Sequence, residues 1–201
     1  MGERHGMDAF GGDSSGTAGA GRAPAGLGGG VPVLRTDRLD LTRHTPADLD
    51  ALAAMWADPA VFGMIGGGRP RPREDVWLRL LRSVGQWALF GYGSWIARDR
   101  ATGTLVGEVG LLESERAIDP PLDCAEVGWA LAPAWHGRGV AGEAMAAALA
   151  WADAHGIART CCIIDPANVR SIALAGRLGY VHARAARYHD AATLVLERPA
   201  A

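Results

Sequence analysis

Lysine is missing altogether. All 20 basic residues of this 201-residue chain are arginine, which closes off Schiff-base chemistry and the phosphate-binding lysine of a GKS or GKT loop. Cysteine is scarce: Cys124 and the adjacent pair Cys161 and Cys162 make an odd count of 3. No CxxC or cysteine–histidine spacing for zinc is present, and no disulfide framework follows from such a count. The 6 histidines are scattered and form no HExxH pair. No apolar run approaches the roughly 20 residues that cross a bilayer. The amino terminus has no basic stretch leading into an apolar one, which argues against a signal peptide. Charge of one sign is lacking too, since a net charge of −2 sets up no bulk field toward nucleic acid or an anionic membrane. On these absences a cytoplasmic protein is expected, with no metal, no nucleic-acid partner and no membrane.

What is present is globular: 49% hydrophobic and 21% charged residues. Residues 1–30 are rich in Gly and Ala and poor in large apolar side chains. Such a stretch buries too little surface to offset its ordering entropy, so a disordered tail is expected there, with one domain over 31–201. Within that domain, Leu39 and Leu41 alternate with polar neighbours, the mark of a half-buried strand. Thr45-Pro-Ala-Asp48 reads as a capping box opening a helix. A second helix is predicted over 73–90, with Val76, Leu80, Val84 and Trp87 toward one face. Strands are predicted over 94–98, 105–112, 124–131 and 160–164. Helices follow over 139–155 and 168–178, and a hairpin closes the chain. This order is neither a βαβ alternation nor all-β, so a mixed sheet flanked by helices is expected: an α+β fold in three layers.

The most informative segment joins the strand ending at Leu131 to the helix after Gly139. Gly137, Gly139 and Gly142 let the backbone approach a ligand closely. The first amides of a helix lack internal partners and carry the positive end of its dipole. The turn over 137–142, which includes Val140 and Ala141, therefore suits a phosphate, and Arg138 adds a cation. A Rossmann reading fails because the turn comes late in the chain.

HGRGVA, residues 136–141, resembles the Q/R-x-x-G-x-G/A signature of the GNAT acetyltransferases, with His136 where Gln or Arg is usual. RTDRLDLT, GYGSWIARDRATGTLVGEVGL, AEVGWALAPAWHGRGVAGEAM and NVRSIALAGRLGY are similar, in that order, to the branch that includes ribosomal-protein N-terminal acetyltransferases. The resemblance implies a mostly antiparallel mixed sheet whose fourth and fifth strands, here 124–131 and 160–164, splay apart around acetyl-CoA. It implies pantetheine bonding along Trp129, Ala130 and Leu131, diphosphate on the amides of 137–142, and a cofactor contact from Asn168. Asn168 is equally a good helix N-cap.

Direct acetyl transfer to a primary amine, on a protein N-terminus or a small molecule, is the implied activity. Glu126 is the first candidate for the base and Glu108 a rival. The family tyrosine that protonates the departing thiolate would fall at Ala175, so Ser171 is the substitute. That vacancy keeps a second reading open, an acyl-CoA-binding sensor without turnover. Cys161 and Cys162 read as core, as do most of Trp87, Trp95, Trp129 and Trp135, although a tryptophan could also shape the acceptor pocket. The loop over 63–72 falls where the family selects its acceptor. A homodimer is allowed but not indicated.

Overall fold

The computed structural model describes residues 30–65, 68–189 and 191–200. Apart from Gly30, the tail expected over 1–30 lies outside the described residues. In chain order the strands are β1 (Leu34–Arg35), β2 (Leu39–Thr42), β3 (Ser94–Asp99), β4 (Leu105–Leu112), β5 (Ile118–Asp119), β6 (Ala125–Leu131), β7 (Thr160–Ile164), β8 (Val181–Tyr188) and β9 (Ala191–Arg198). The helices are α1 (Leu49–Trp56), α2 (Pro59–Phe62), α3 (Arg73–Phe90), α4 (Val140–Ala154) and α5 (Val169–Arg177). The strands form one sheet in the order β1-β2-β3-β4-β6-β7-β9-β8-β5. Only β6 and β7 run parallel; every other neighbouring pair is antiparallel. Periodicity misses β1, β5 and α2, which at two to four residues are too short for a period to show.

Alternation along the strands sorts the core into two layers. Trp95, Val109, Val127 and Leu131 point to the side covered by α4, where they join Met145, Ala148, Leu149 and Trp151. Ile96 and Ala130 point to the other side and pack against Leu52, Met55 and Trp56 of α1 and Val76 and Leu80 of α3. Trp87, Trp95 and Trp151 meet edge to face, with ring centroids 4.8–5.4 Å apart. Trp87 and Trp95 are thus core, whereas Trp129 and Trp135 are only half-buried. Each large apolar side chain sealed in these layers contributes about 1.5–3 kcal/mol.

The face of α3 differs from the expected one in a single position. Val76, Leu80, Ser83 and Trp87 are buried, while Val84 is 48% exposed. Eight residues beyond Val76, position 84 has drifted about 80° around the helix. Ser83 takes its place and bonds Arg79 O and Ser94 Oγ.

The connection that matters for function is β6 to β7. These strands pair at Ala125 with Thr160 and at Glu126 with Cys161, and nowhere further along. β6 continues to Leu131 against β4, and β7 continues to Ile164 against β9. The sheet therefore opens into a wedge beyond Glu126. In the β4–β6 ladder Ala132 N bonds Val106 O at 2.9 Å and Leu131 lies opposite Gly107. Antiparallel pairing alternates, so the even residues of β6 bond β4. The main chain of Val127, Trp129 and Leu131 faces the opening.

Candidate active site

A 3-10 turn, Pro133–Trp135, carries the chain from the end of β6 to α4. Gly137 and Gly139 follow at φ 73° and 75°, left-handed values that side chains resist. Val140 then starts α4. His136 N bonds Pro133 O and Glu143 N bonds Gly139 O. Between them, the amides of Gly137, Arg138, Gly139, Val140, Ala141 and Gly142 make no hydrogen bond to the described residues. Six main-chain donors are thus unpartnered among the described residues, at the positive end of a 15-residue helix.

A carboxylate in the first turn of α4 would repel an anion, and Glu143 stands there. It is held elsewhere: Thr36 Oγ1 donates to Oε1 at 2.5 Å, Arg38 N to Oε1 at 2.9 Å, and Arg38 Nε to Oε2 at 2.6 Å. Burial alone would raise the Glu143 pKa, but the Thr36 and Arg38 bonds outweigh it and hold the carboxyl below its usual range. Arg38 also donates to Arg138 O at 2.9 Å, bracing the turn. Sequence reasoning missed Arg38; its only signal was a place inside the RTDRLDLT stretch. Arg138 stacks its guanidinium over Trp135 at 5.2 Å.

Two of the expected strand contacts are narrowed. Ala130 bonds β4 through its main chain, and its side chain is buried. The Leu131 carbonyl already accepts from His136 Nε2 at 2.8 Å, which fixes that imidazole against the end of β6. Trp129 keeps both its amide and its carbonyl toward the opening.

Glu126 sits at the vertex of the wedge and is 5% exposed. Arg116 grips both its oxygens, Nε to Oε2 at 2.5 Å and NH2 to Oε1 at 2.8 Å. The same guanidinium donates to Tyr188 Oη at 3.0 Å and lies over the Tyr188 ring at 5.1 Å. Burial would lower the Arg116 pKa, but its bonds to Glu126 and Tyr188 raise it overall. Neither Arg116 nor Tyr188 was singled out from sequence: Arg116 sits in an irregular loop 10 positions before Glu126, and Tyr188 ends the distant strand β8, so no periodicity or motif ties either to that carboxylate.

Glu108, the rival base, points to the same side of the sheet and is wholly occupied. It accepts from His44 Nε2 at 3.0 Å, Trp56 Nε1 at 2.8 Å and Arg79 Nε at 2.8 Å. Burial pushes its pKa up, but the Arg79 charge and the His44 bond outweigh that and hold it far below the ordinary carboxylate value. Such a group is a weak base and a strong structural anchor.

At the mouth of the wedge, Asn168 caps α5 by accepting from Ser171 N at 3.1 Å. Ser171 Oγ itself makes no hydrogen bond to the described residues and is not tied to the backbone. Ala175 is fully buried and Tyr180 Oη bonds Thr160 Oγ1 at 2.5 Å in the core. No tyrosine hydroxyl on α5 thus reaches the opening. Cys161 and Cys162 are ill suited to attack: burial pushes Cys162 up to about 12, and a bond to Cys124 together with burial raises Cys161.

This arrangement has known relatives. The model of the acetyltransferase (GNAT) domain matches residues 38–181. A GNAT-family acetyltransferase structure from Bordetella pertussis superposes at a TM-score of 0.73 with 34% identity, covering 83% of this chain and 99% of that one. An acetyltransferase from Agrobacterium tumefaciens gives 0.71 with 29% identity, covering 83% and 94%. A phosphinothricin acetyltransferase from Sinorhizobium meliloti, solved with acetyl-CoA, shares the fold at 0.64 and 20% identity, covering 81% and 89%. An opened β6–β7 pair, a glycine turn with free amides and a domain match over most of the chain lead to one assignment: this chain belongs to the GNAT acetyltransferase family.

Proposed function

We propose that this protein moves an acetyl group from acetyl-CoA to a primary amine by direct transfer within a ternary complex. The six unpartnered amides over 137–142, beside strands that part after Glu126, carry the reading. Acetyl-CoA supplies the acetyl group as an activated thioester. The chain's residues do the rest. Trp129 offers an amide and a carbonyl as a strand edge would, and the turn over 137–142 takes the diphosphate with Arg138 beside it.

Glu126 accepts the proton that the amine sheds, through a water, because Arg116 already occupies both carboxylate oxygens. Each oxygen keeps a further lone pair for that water. The amine nitrogen bonds the acetyl carbon, the carbon–sulfur bond breaks, and Ser171 Oγ donates a hydrogen bond to the departing sulfur. The work asked of Glu126 depends on the acceptor. Neutralising an α-amine of pKa ~8 at pH 7 costs roughly 1 kcal/mol, against about 5 kcal/mol for a lysine of pKa ~10.4.

Incubation with acetyl-CoA and a panel of amines, followed by the release of free thiol, tests the proposal. Thiol release that needs both partners supports it. Saturable acetyl-CoA binding with no thiol from any amine would instead favour a sensor, the reading that the buried Ala175 motivates.

A further inference from the structure

Four guanidiniums gather on the side of the sheet that carries Glu126 and Glu108. Arg79 is paired with Glu108 at 2.8 Å and Arg116 with Glu126 at 2.5 Å. The other two have no carboxylate within ion-pair distance among the described residues. Arg71, in the loop before α3, stacks over Trp56 at 5.2 Å, beside Arg79 on the same ring at 4.6 Å. Arg82 lies one turn along α3 from Arg79, a spacing that puts the two side chains side by side. Arg82 is exposed, so a solute can reach it.

These cations act on one another. Partial desolvation of its guanidinium among these neighbours first, then the charges of Arg79 and Arg116, lower the Arg82 pKa, against an upward pull from Glu108. Burial and then Arg79 lower that of Arg71, against upward pulls from Asp75, Glu108 and Tyr188. Asp75 works only through space and forms no ion pair with either arginine. Like charges held together without counter-ions leave a local excess of positive charge, and this one adjoins the Arg116–Glu126 pair where the amine must arrive.

We infer that the acceptor is an amine that also bears an anionic group, a carboxylate or its equivalent, held by Arg71 and Arg82 while the amine faces Glu126. The inference rests on the acetyl-transfer reading above and narrows its substrate class. Two sources share this chemistry: the carboxylate of an amino-acid-like small molecule, and an acidic side chain next to a peptide N-terminus. Arginine suits either, because its planar fork meets a carboxylate with two parallel bonds.

Matched acceptors decide the matter. One arm compares free amino acids with their amides; the other compares peptides that begin Ser-Asp with peptides that begin Ser-Asn. Binding to the CoA-saturated protein is measured by calorimetry, and kcat/KM by thiol release. The anionic member of at least one pair is expected to win by about tenfold or more, and the arm that shows it names the source. Arg82→Gln and Arg71→Gln should each collapse that ratio, bringing the anionic member's affinity and kcat/KM down toward those of its neutral counterpart. Equal binding of both members in both arms overturns the inference, whatever the rates. Thiol release from no amine overturns acetyl transfer instead, and the calorimetric ratio still reports on the anion site.

Discussion

Glu126 faces Cys161 at the last paired position of the parallel β6–β7 ladder. One step further the strands part, so the side chain proposed as base stands where the sheet stops being a sheet. A carboxylate there is walled by β6 and β7 yet borders the opening, and Arg116 keeps it pointed.

The first prediction concerns that carboxylate. Glu126→Gln should lower kcat by about 10²–10⁴-fold, most at low pH, where more of the amine is protonated. The Kd for CoA should stay near normal. The variant also leaves Arg116 without its counter-charge, so a fall in Tm is expected and must be measured alongside. An unchanged rate across the pH range means that Glu126 is no base.

Ser171 gives a sharper separation of stability from chemistry. Its hydroxyl makes no internal bond, so Ser171→Ala should move stability by less than about 0.5 kcal/mol. The rate should still fall by roughly tenfold, the value of one lost hydrogen bond to a developing charge. Pre-steady-state thiol release reads that step directly. A rate equal to wild type would assign the sulfur another donor.

Glu108 carries a prediction about acid stability. Its folded pKa is depressed below the ordinary value of 4.5, so its stabilisation is fully present above that value and drains away as the pH falls further. Glu108→Gln should flatten the pH dependence of Tm below about pH 5. At pH 7 it should cost about 3–5 kcal/mol, because Arg79 is left without its partner. Identical acid-unfolding curves for the two proteins would refute the buried His44–Glu108–Arg79 cluster.

Much of this was legible in the chain. The alternation at Leu39 and Leu41 and the capping box of Thr45 and Asp48 gave local structure, since each has a local cause: a period of two, and an Asp48 carboxylate that accepts from Thr45 N at 2.8 Å three residues back. The turn over 137–142 was legible for the same reason. What remained hidden depends on distant partners. Nothing in the sequence announces that the loop carrying Arg116 and the end of β8 carrying Tyr188 fold back on Glu126, nor that Arg38 disarms Glu143 across 105 positions. Glu108 looked like a base for want of knowing its three donors. Val84 misled because it is apolar at nearly the right phase, while the polar Ser83 found bonds in the interior.

The measurement closest to the core of the account is calorimetric titration of CoA into wild type, Gly139→Gln and Gly139→Glu. Both variants share the strain of a side chain at φ 75°, and an added Cβ meets nothing nearer than Arg38 at 3.7 Å. Only the second places a negative charge among the open amides. Wild type should bind saturably, Gly139→Gln more weakly, and Gly139→Glu not detectably. Equal affinity in all three would show that the turn over 137–142 does not hold the diphosphate.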